Sequence, residues 1–257
     1  MCVLNGGAKG GVTCFSVNDG VGLKALDTAP RDISSALNQT TPPVGPFLTA
    51  SDIKFNPSSS ALFATVKGSP ATAPLSVGSL FVWPVVDGVV SREAVVTRNP
   101  NLILDFSITF ATSDFDFLLT DPAIGADVLS LSFNKTINLA EPVKITGQAA
   151  TCWSTYNSVS EVFYTADAAE TNITVVSAVD GTILDTVKYD ASTKGGLDLI
   201  VSGSNLYLLT QIGQIVSFDV ADGKAPRPVQ VFDPLPKTNS SGSVLNGMGA
   251  WTRLRNG

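Results

Sequence analysis

Histidine is absent from the 257 residues. That removes the commonest general base near neutral pH and the commonest zinc ligand. Ser-His-Asp and Cys-His systems are excluded, so acid–base chemistry must fall to Asp, Glu, Lys, Arg, Tyr or a bound metal. Charge is also scarce, at 15% of residues against ~25% in a typical globular chain. Glutamate is rarer still, with four Glu against eighteen Asp. Glu favours helices and Asp favours turns, so the skew points to β structure. No stretch of about ten residues carries a 3.6-residue apolar period. No basic cluster accompanies the net charge of −6, which argues against nucleic acid as a partner. No apolar run approaches the ~20 residues of a membrane span. Met1 leads at once into strand-like sequence, which predicts a chain without a signal peptide, either intracellular or cut from a longer precursor.

What is present is a repeat. Asp-Gly pairs at Asp19-Gly20, Asp87-Gly88, Asp180-Gly181 and Asp222-Gly223 each separate two strand-like runs. Such a pair is a strong hairpin signal, because Gly accepts positive φ and Asp tolerates the left-handed region. Asn134-Lys135 sits in a similar hairpin within the longest gap. The turns then fall at 19, 87, 134, 180 and 222, spacings of 68, 47, 46 and 42. A period of ~40–50 residues with four strands per unit is the signature of a propeller blade. The sequence therefore predicts an all-β chain, a β-propeller of four-stranded antiparallel blades, with a β-sandwich as its rival. Full blades are expected over 51–98, 101–147, 149–191 and 196–233. Residues 2–27 supply the last three strands of a blade, and 243–254 one more strand. Residues 1–257 thus read as a single propeller domain, either five blades closed by a shared terminal blade or an arc of a larger ring. The long first gap holds an insertion, Arg31–Ala50, rich in proline. It can serve as a lid or pack on a neighbouring blade.

Cys2 and Cys14 stand symmetrically about the glycine-rich loop centred on Ala8. A hairpin there places them opposite each other, at a spacing that allows a disulfide. Cys152 is left over as a buried core residue. Sequons occur at Asn38, Asn134, Asn172 and Asn239. With the disulfide they favour a secretory origin, and so truncation of a precursor over residence in the cytosol.

Three segments carry a family resemblance. They are Cys2–Cys14, Thr40–Pro46 (Thr-Thr-Pro-Pro-Val-Gly-Pro) and Ser51–Gly68. Over about the first 70 residues the chain resembles the secreted fungal proteins described as 3-carboxymuconate cyclase-like, within the 6-phosphogluconolactonase-type lactonase superfamily. The resemblance implies a seven-bladed propeller, secretion to the extracellular space or cell wall, glycosylation, and two or so N-terminal blades missing here. Enzymes of the superfamily use His, Glu and Arg around the central channel, a set that this chain cannot complete.

Candidate chemistry is sparse. Polar residues on the predicted innermost strands are Asp52, Lys54, Asp105 and Asp198, which read as channel groups or as satisfied turn-edge polars. Arg31, Arg98 and Arg253 lie near blade boundaries and could clamp a carboxylate bidentately, or could link blades. Asp114 and Asp116 lack the further oxygens a Ca²⁺ site needs and read as a turn. Trp83, Trp153 and Trp251 could stack on sugars, but Trp83 and Trp153 alternate with apolar neighbours and suit core packing between blades better. No cofactor and no metal are expected. The expected chain is a monomer. Its first reading is a non-catalytic extracellular or cell-surface glycoprotein, a binding or antigenic protein whose partner is an extracellular glycan or a small carboxylate. The alternative is a lactonase or cycloisomerase acting on a carboxylated lactone or muconate, with a carboxylate base and an Arg clamp.

Overall fold

The computed structural model describes residues 1–132, 134–223, 225–234 and 245–250. The strands form five antiparallel sheets, taken here as blades I to V. Blade I holds β1 (Cys2–Asn5), β2 (Gly11–Asn18), β3 (Gly22–Ala25) and β4 (Arg31–Asp32). Blade II holds β5 (Ala50–Phe55), β6 (Ala61–Val66), β7 (Ser79–Val86), β8 (Val89–Val90) and β9 (Val95–Thr97). Blade III comprises β10 (Ser107–Phe110), β11 (Asp116–Asp121), β12 (Gly125–Leu131) and β13 (Ile137–Lys144). Blade IV comprises β14 (Thr151–Asn157), β15 (Val162–Asp167), β16 (Asn172–Ser177) and β17 (Ile183–Lys188). Blade V comprises β18 (Gly196–Ser202), β19 (Asn205–Thr210), β20 (Ile215–Asp219) and β21 (Arg227–Phe232). The first strands of blades II to V neighbour one another in the order β5, β10, β14, β18. The fold is the β-propeller that the repeat predicts.

Strand alternation builds the core between blades rather than within one. Successive side chains of a strand point to opposite faces of its sheet. On β6, Leu62 and Ala64 pack toward blade I with Val12, Cys14 and Trp83, while Phe63 packs toward blade III with Ile108 and Phe117. On β15, Phe163 joins Leu118 and Val176, while Tyr164 joins Leu199, Leu206 and Phe218. Middle strands are therefore buried on both faces and read as near-continuous apolar runs, as in β6. The outermost strand β21 is exposed throughout. The turns follow the expected chemistry in part: at Asp180-Gly181 and Asp222-Gly223 the glycine alone takes positive φ, and near Asp19-Gly20 the positive φ falls on Gly22. Asp87 and Gly88 both take positive φ, 49° and 75°, the primed geometry that suits a two-residue hairpin.

Blade I is incomplete among the described residues. Asp19-Gly20 joins β2 to β3 as Asp87-Gly88 joins β7 to β8. Hence β1 corresponds to β6, a second strand, and blade I has no counterpart of β5 there. At the other end, the Met248 N–H donates to the Asp198 carboxylate on β18 at 2.7 Å. The Ile108 N–H on β10 does the same to Asp52 on β5 at 2.9 Å. Residues 245–250 thus stand to blade V as β10 stands to blade II.

Cys2 and Cys14 are register partners on β1 and β2 and form a disulfide. Closing a loop with a sequence separation of 12 is expected to stabilise by about 3 kcal/mol. Reduction with dithiothreitol should lower Tm, and the same reductant should leave a Cys2→Ser/Cys14→Ser variant unchanged. An equal response in both would show that the bond contributes nothing. Cys152 is free and buried; burial pushes its thiol up to about 11. The insertion folds onto blade I. Gln39 closes its 39–47 segment, donating to Phe47 O at 2.9 Å and accepting from Val44 N at 2.6 Å. Thr41 Oγ1 accepts the Ala8 N–H at 3.1 Å.

Candidate active site in the central channel

The innermost strands bring three charged side chains together. On β5, Asp52 and Lys54 lie two residues apart and so share a face. Lys54 Nζ stands 3.8 Å from Asp52 Oδ2, and the side chains are 43% and 13% exposed. Lys54 also donates to Ile108 O at 2.5 Å. Asp52 accepts the Ile53 N–H at 2.8 Å and the Ile108 N–H. Asp198 comes from β18, three blades away, and feels both charges across the channel. Burial raises its carboxyl above the ordinary range. The Met248 and Leu199 N–H groups and the Lys54 ammonium lower it in part, and Asp52 adds to the rise. A carboxylate made more basic by burial, facing an ammonium, is the arrangement a general base needs. Beside Asp52 a cavity of about 400 Å³ opens, lined by Gly6, Gly7, Pro43, Thr49 and Ser51 among others. The insertion contributes Pro43, Gly45 and Thr49 to its lining.

Arg31, Arg98 and Asp105 make other contacts. Arg31 is buried between blades I and II. It donates to Asp27 Oδ2 at 2.5 Å, Ser91 O at 2.7 Å and Val90 O at 2.6 Å. Its guanidinium is spent on an inter-blade link, because β4 pairs with β2 and turns it inward. Arg98 donates to Ser79 Oγ at 2.9 Å at the start of β7. Arg253, Trp251 and Asn239 lie outside the described residues. Asp105 is fully buried and precedes β10 instead of lying on it. It is sealed against Gly78, where an added Cβ would come within 2.4 Å of its Oδ1. Burial, then the charges of Asp121 and Asp127, raise its carboxyl, and neither of its oxygens has a partner among the described residues. Arg31 is thus taken up between blades, and Asp105 is sealed in the interior. Among the described residues no cluster of three or more His, Cys, Asp or Glu is arranged to hold a metal, and no helix is long and apolar enough to cross a membrane. Asp114 fixes a turn by accepting the Ser58 N–H at 2.7 Å. Asn38 and Asn134 are exposed, whereas Asn172 is 9% exposed at the head of β16. Trp83 is core, stacked on Phe81. Trp153 is only partly buried.

Two residues that sequence reasoning passed over lie beside the innermost strands, Lys67 bonded through its N–H to Thr49 O just before β5 and Phe106 just before β10. Lys67 follows β6 and sets its Nζ 4.9 Å from the centroid of Phe106. Phe106 in turn meets Trp153 edge to face at 5.2 Å. Their signal was faint. A lone Lys after an apolar strand looks like a solvated turn.

No protein-family model matches the chain, and no curated protein matches it. Solved structures do match. The periplasmic gluconolactonase PpgL of Pseudomonas aeruginosa aligns with TM-score 0.65 and 13% identity, over 90% of this chain and 67% of that one. A protein assigned as a 6-phosphogluconolactonase from Bacteroides fragilis aligns with TM-score 0.62 and 16% identity, over 90% and 67%. Sqt1 of Saccharomyces cerevisiae aligns with TM-score 0.61 and 12% identity, over 90% and 58%. The chain spans about two thirds of the length of those two lactonase structures. Likeness at such identities concerns the fold alone, which is that of a β-propeller.

Proposed function

We propose that the chain is a lactonase-type propeller that opens a carboxylated lactone in its channel. The observation that carries this reading is the Asp198 carboxyl, made basic by burial, set across the channel from Lys54 and Asp52. The likeness to two lactonase structures supports it. The chemistry needs no histidine. Asp198 takes a proton from water as the water oxygen attacks the lactone carbonyl. The Lys54 ammonium stabilises the oxyanion, while Asp52 and Ile108 O hold that ammonium in place. The ring C–O bond then breaks, and the leaving oxygen takes the proton back from Asp198. Lys54 fills the role for which an arginine was expected. The rest of the reading belongs to the same proposal. It is a single domain over 1–257 whose terminal blade is split between β1–β4 and residues 245–250. It is secreted, glycosylated at exposed sequons such as Asn38 and Asn134, and of the fungal 3-carboxymuconate cyclase-like branch. The disulfide supports an oxidising compartment.

A second reading is a non-catalytic surface protein. It is favoured by the bonds that Asp52 and Lys54 both spend on the Ile108 backbone. Acid release from a panel of γ- and δ-lactones, with and without a carboxylate, separates the two. Turnover that falls about 10²–10³-fold in Asp198→Asn, with an unchanged circular dichroism spectrum, is the lactonase outcome. No turnover by the unaltered chain leaves the second reading.

A further inference from the structure

Asp52, Trp153 and Asp198 hold equivalent places in their blades. Each follows, or lies within, a break in the pairing of first strand with second. The breaks fall between Ala50 and Ile53, between Thr151 and Trp153, and between Gly196 and Asp198. Two of the three are the channel carboxylates. The third is a partly exposed indole that packs against the blade IV–V core and meets Phe106 of blade III. Phe106 lies under the Lys67 ammonium from blade II. Three successive blades therefore contribute one continuous wall of cation, ring and indole, and all three side chains are half-buried.

Lys67 takes part in none of the ion pairs among the described residues. Burial holds its ammonium below the usual lysine range, with the nearby Cys152 acting the other way. A half-dehydrated cation that, among the described residues, enters no ion pair and lies over a ring face has capacity for an anion. Exposed ring surface beside it suits a flat or ring-shaped body. Building on the lactonase reading, we propose that Lys67, Phe106 and Trp153 form the recognition subsite for a small carboxylate with a flat or ring-shaped body. Lys67 holds the carboxylate, and the body lies on Phe106 and Trp153. Strand β18, next to β14, then presents Asp198 to the same ligand.

Isothermal titration calorimetry with benzoate and its uncharged amide, benzamide, tests this without turnover. The expected result is benzoate binding about tenfold tighter than benzamide. Lys67→Met should weaken benzoate about tenfold and leave benzamide unchanged, and Lys67→Arg should stay within about threefold of the unaltered chain. Equal affinity for the two probes, or benzoate binding indifferent to Lys67→Met, overturns the subsite. A chain that binds benzoate through Lys67 yet opens no lactone keeps the subsite and removes the lactonase reading. Turnover with no dependence on Lys67 does the reverse.

Discussion

Replacing Arg31 with methionine is expected to destabilise the fold by about 3–5 kcal/mol, the cost of breaking a buried ion pair from one side. The Arg31 side chain is 3% exposed and that of Asp27 6%. Burial alone would push the Asp27 carboxyl up. The Arg31 hydrogen bond, the Cys14 N–H and the charges of Arg31 and Arg92 hold it below its ordinary value. Without Arg31 that carboxylate keeps only Cys14 N at 2.8 Å and the more exposed Arg92 at 3.3 Å. The carbonyls of Val90 and Ser91 lose their donor as well. Lysine cannot reproduce a fork that reaches a carboxylate and two carbonyls at once, so Arg31→Lys should recover little. Adding Asp27→Asn to Arg31→Met should recover part of the loss. Urea midpoints measure all three, and a loss below about 1 kcal/mol for Arg31→Met would contradict the inter-blade role.

Asp127→Asn is expected to stabilise the protein at pH 8 by a few kcal/mol and to change little at pH 4. Asp127 is 1% exposed, and burial, then the charge of Asp121, pushes its carboxyl up to about 8. Asp105 is raised well above the ordinary range, by burial first and then by Asp121 and Asp127. Burial raises Asp121 too, against three N–H donors from Leu104, Ala123 and Ile103. The folded chain therefore keeps protons that the unfolded chain releases above about pH 4. Where the folded state binds more protons, stability falls as pH rises. The fall should run from about pH 4 to about pH 8. At about 1.4 kcal/mol per unit, Asp127 alone accounts for something on the order of 5 kcal/mol across that window. Depressed carboxyls such as Asp27 act oppositely and lose their contribution only as pH falls below about 4. Urea midpoints at pH 4.5 and 8 for both chains decide the matter. A difference that is the same at both pH values would mean that Asp127 is already ionised in the fold.

The repeat was legible because local chemistry and architecture agree. Asp-Gly turns need positive φ, and strands buried on both faces need apolar runs. Asn134-Lys135 shows that the register survives loss of the glycine, since Lys135 takes φ of 65°. The division of the fourth strand of blade II into β8 and β9 had no such marker. Asp52, Lys54 and Asp198 stand out in the sequence because they interrupt apolar inner strands. Asp105 looked the same in sequence. Its strand begins only at Ser107, so Asp105 sits in the lead-in segment, buried against Gly78. For Arg31 the sequence left a carboxylate clamp and an inter-blade link open; the structure gives the link, to Val90 and Ser91 some 60 residues away, beyond the reach of any local pattern. The Lys67–Phe106–Trp153 wall joins side chains of three blades, a juxtaposition that no local pattern encodes.

The pH dependence of kcat/KM for a carboxylated lactone, in the unaltered chain and in Asp198→Asn, tests the central claim most directly. The base must be ionised to work, and burial raises Asp198 above the ordinary carboxylate value. Activity should therefore rise through a midpoint above about 4, the value for a free aspartate. In Asp198→Asn that limb should vanish along with most of the rate. No turnover in the unaltered chain, or an acid limb that persists in Asp198→Asn, would contradict a catalytic channel.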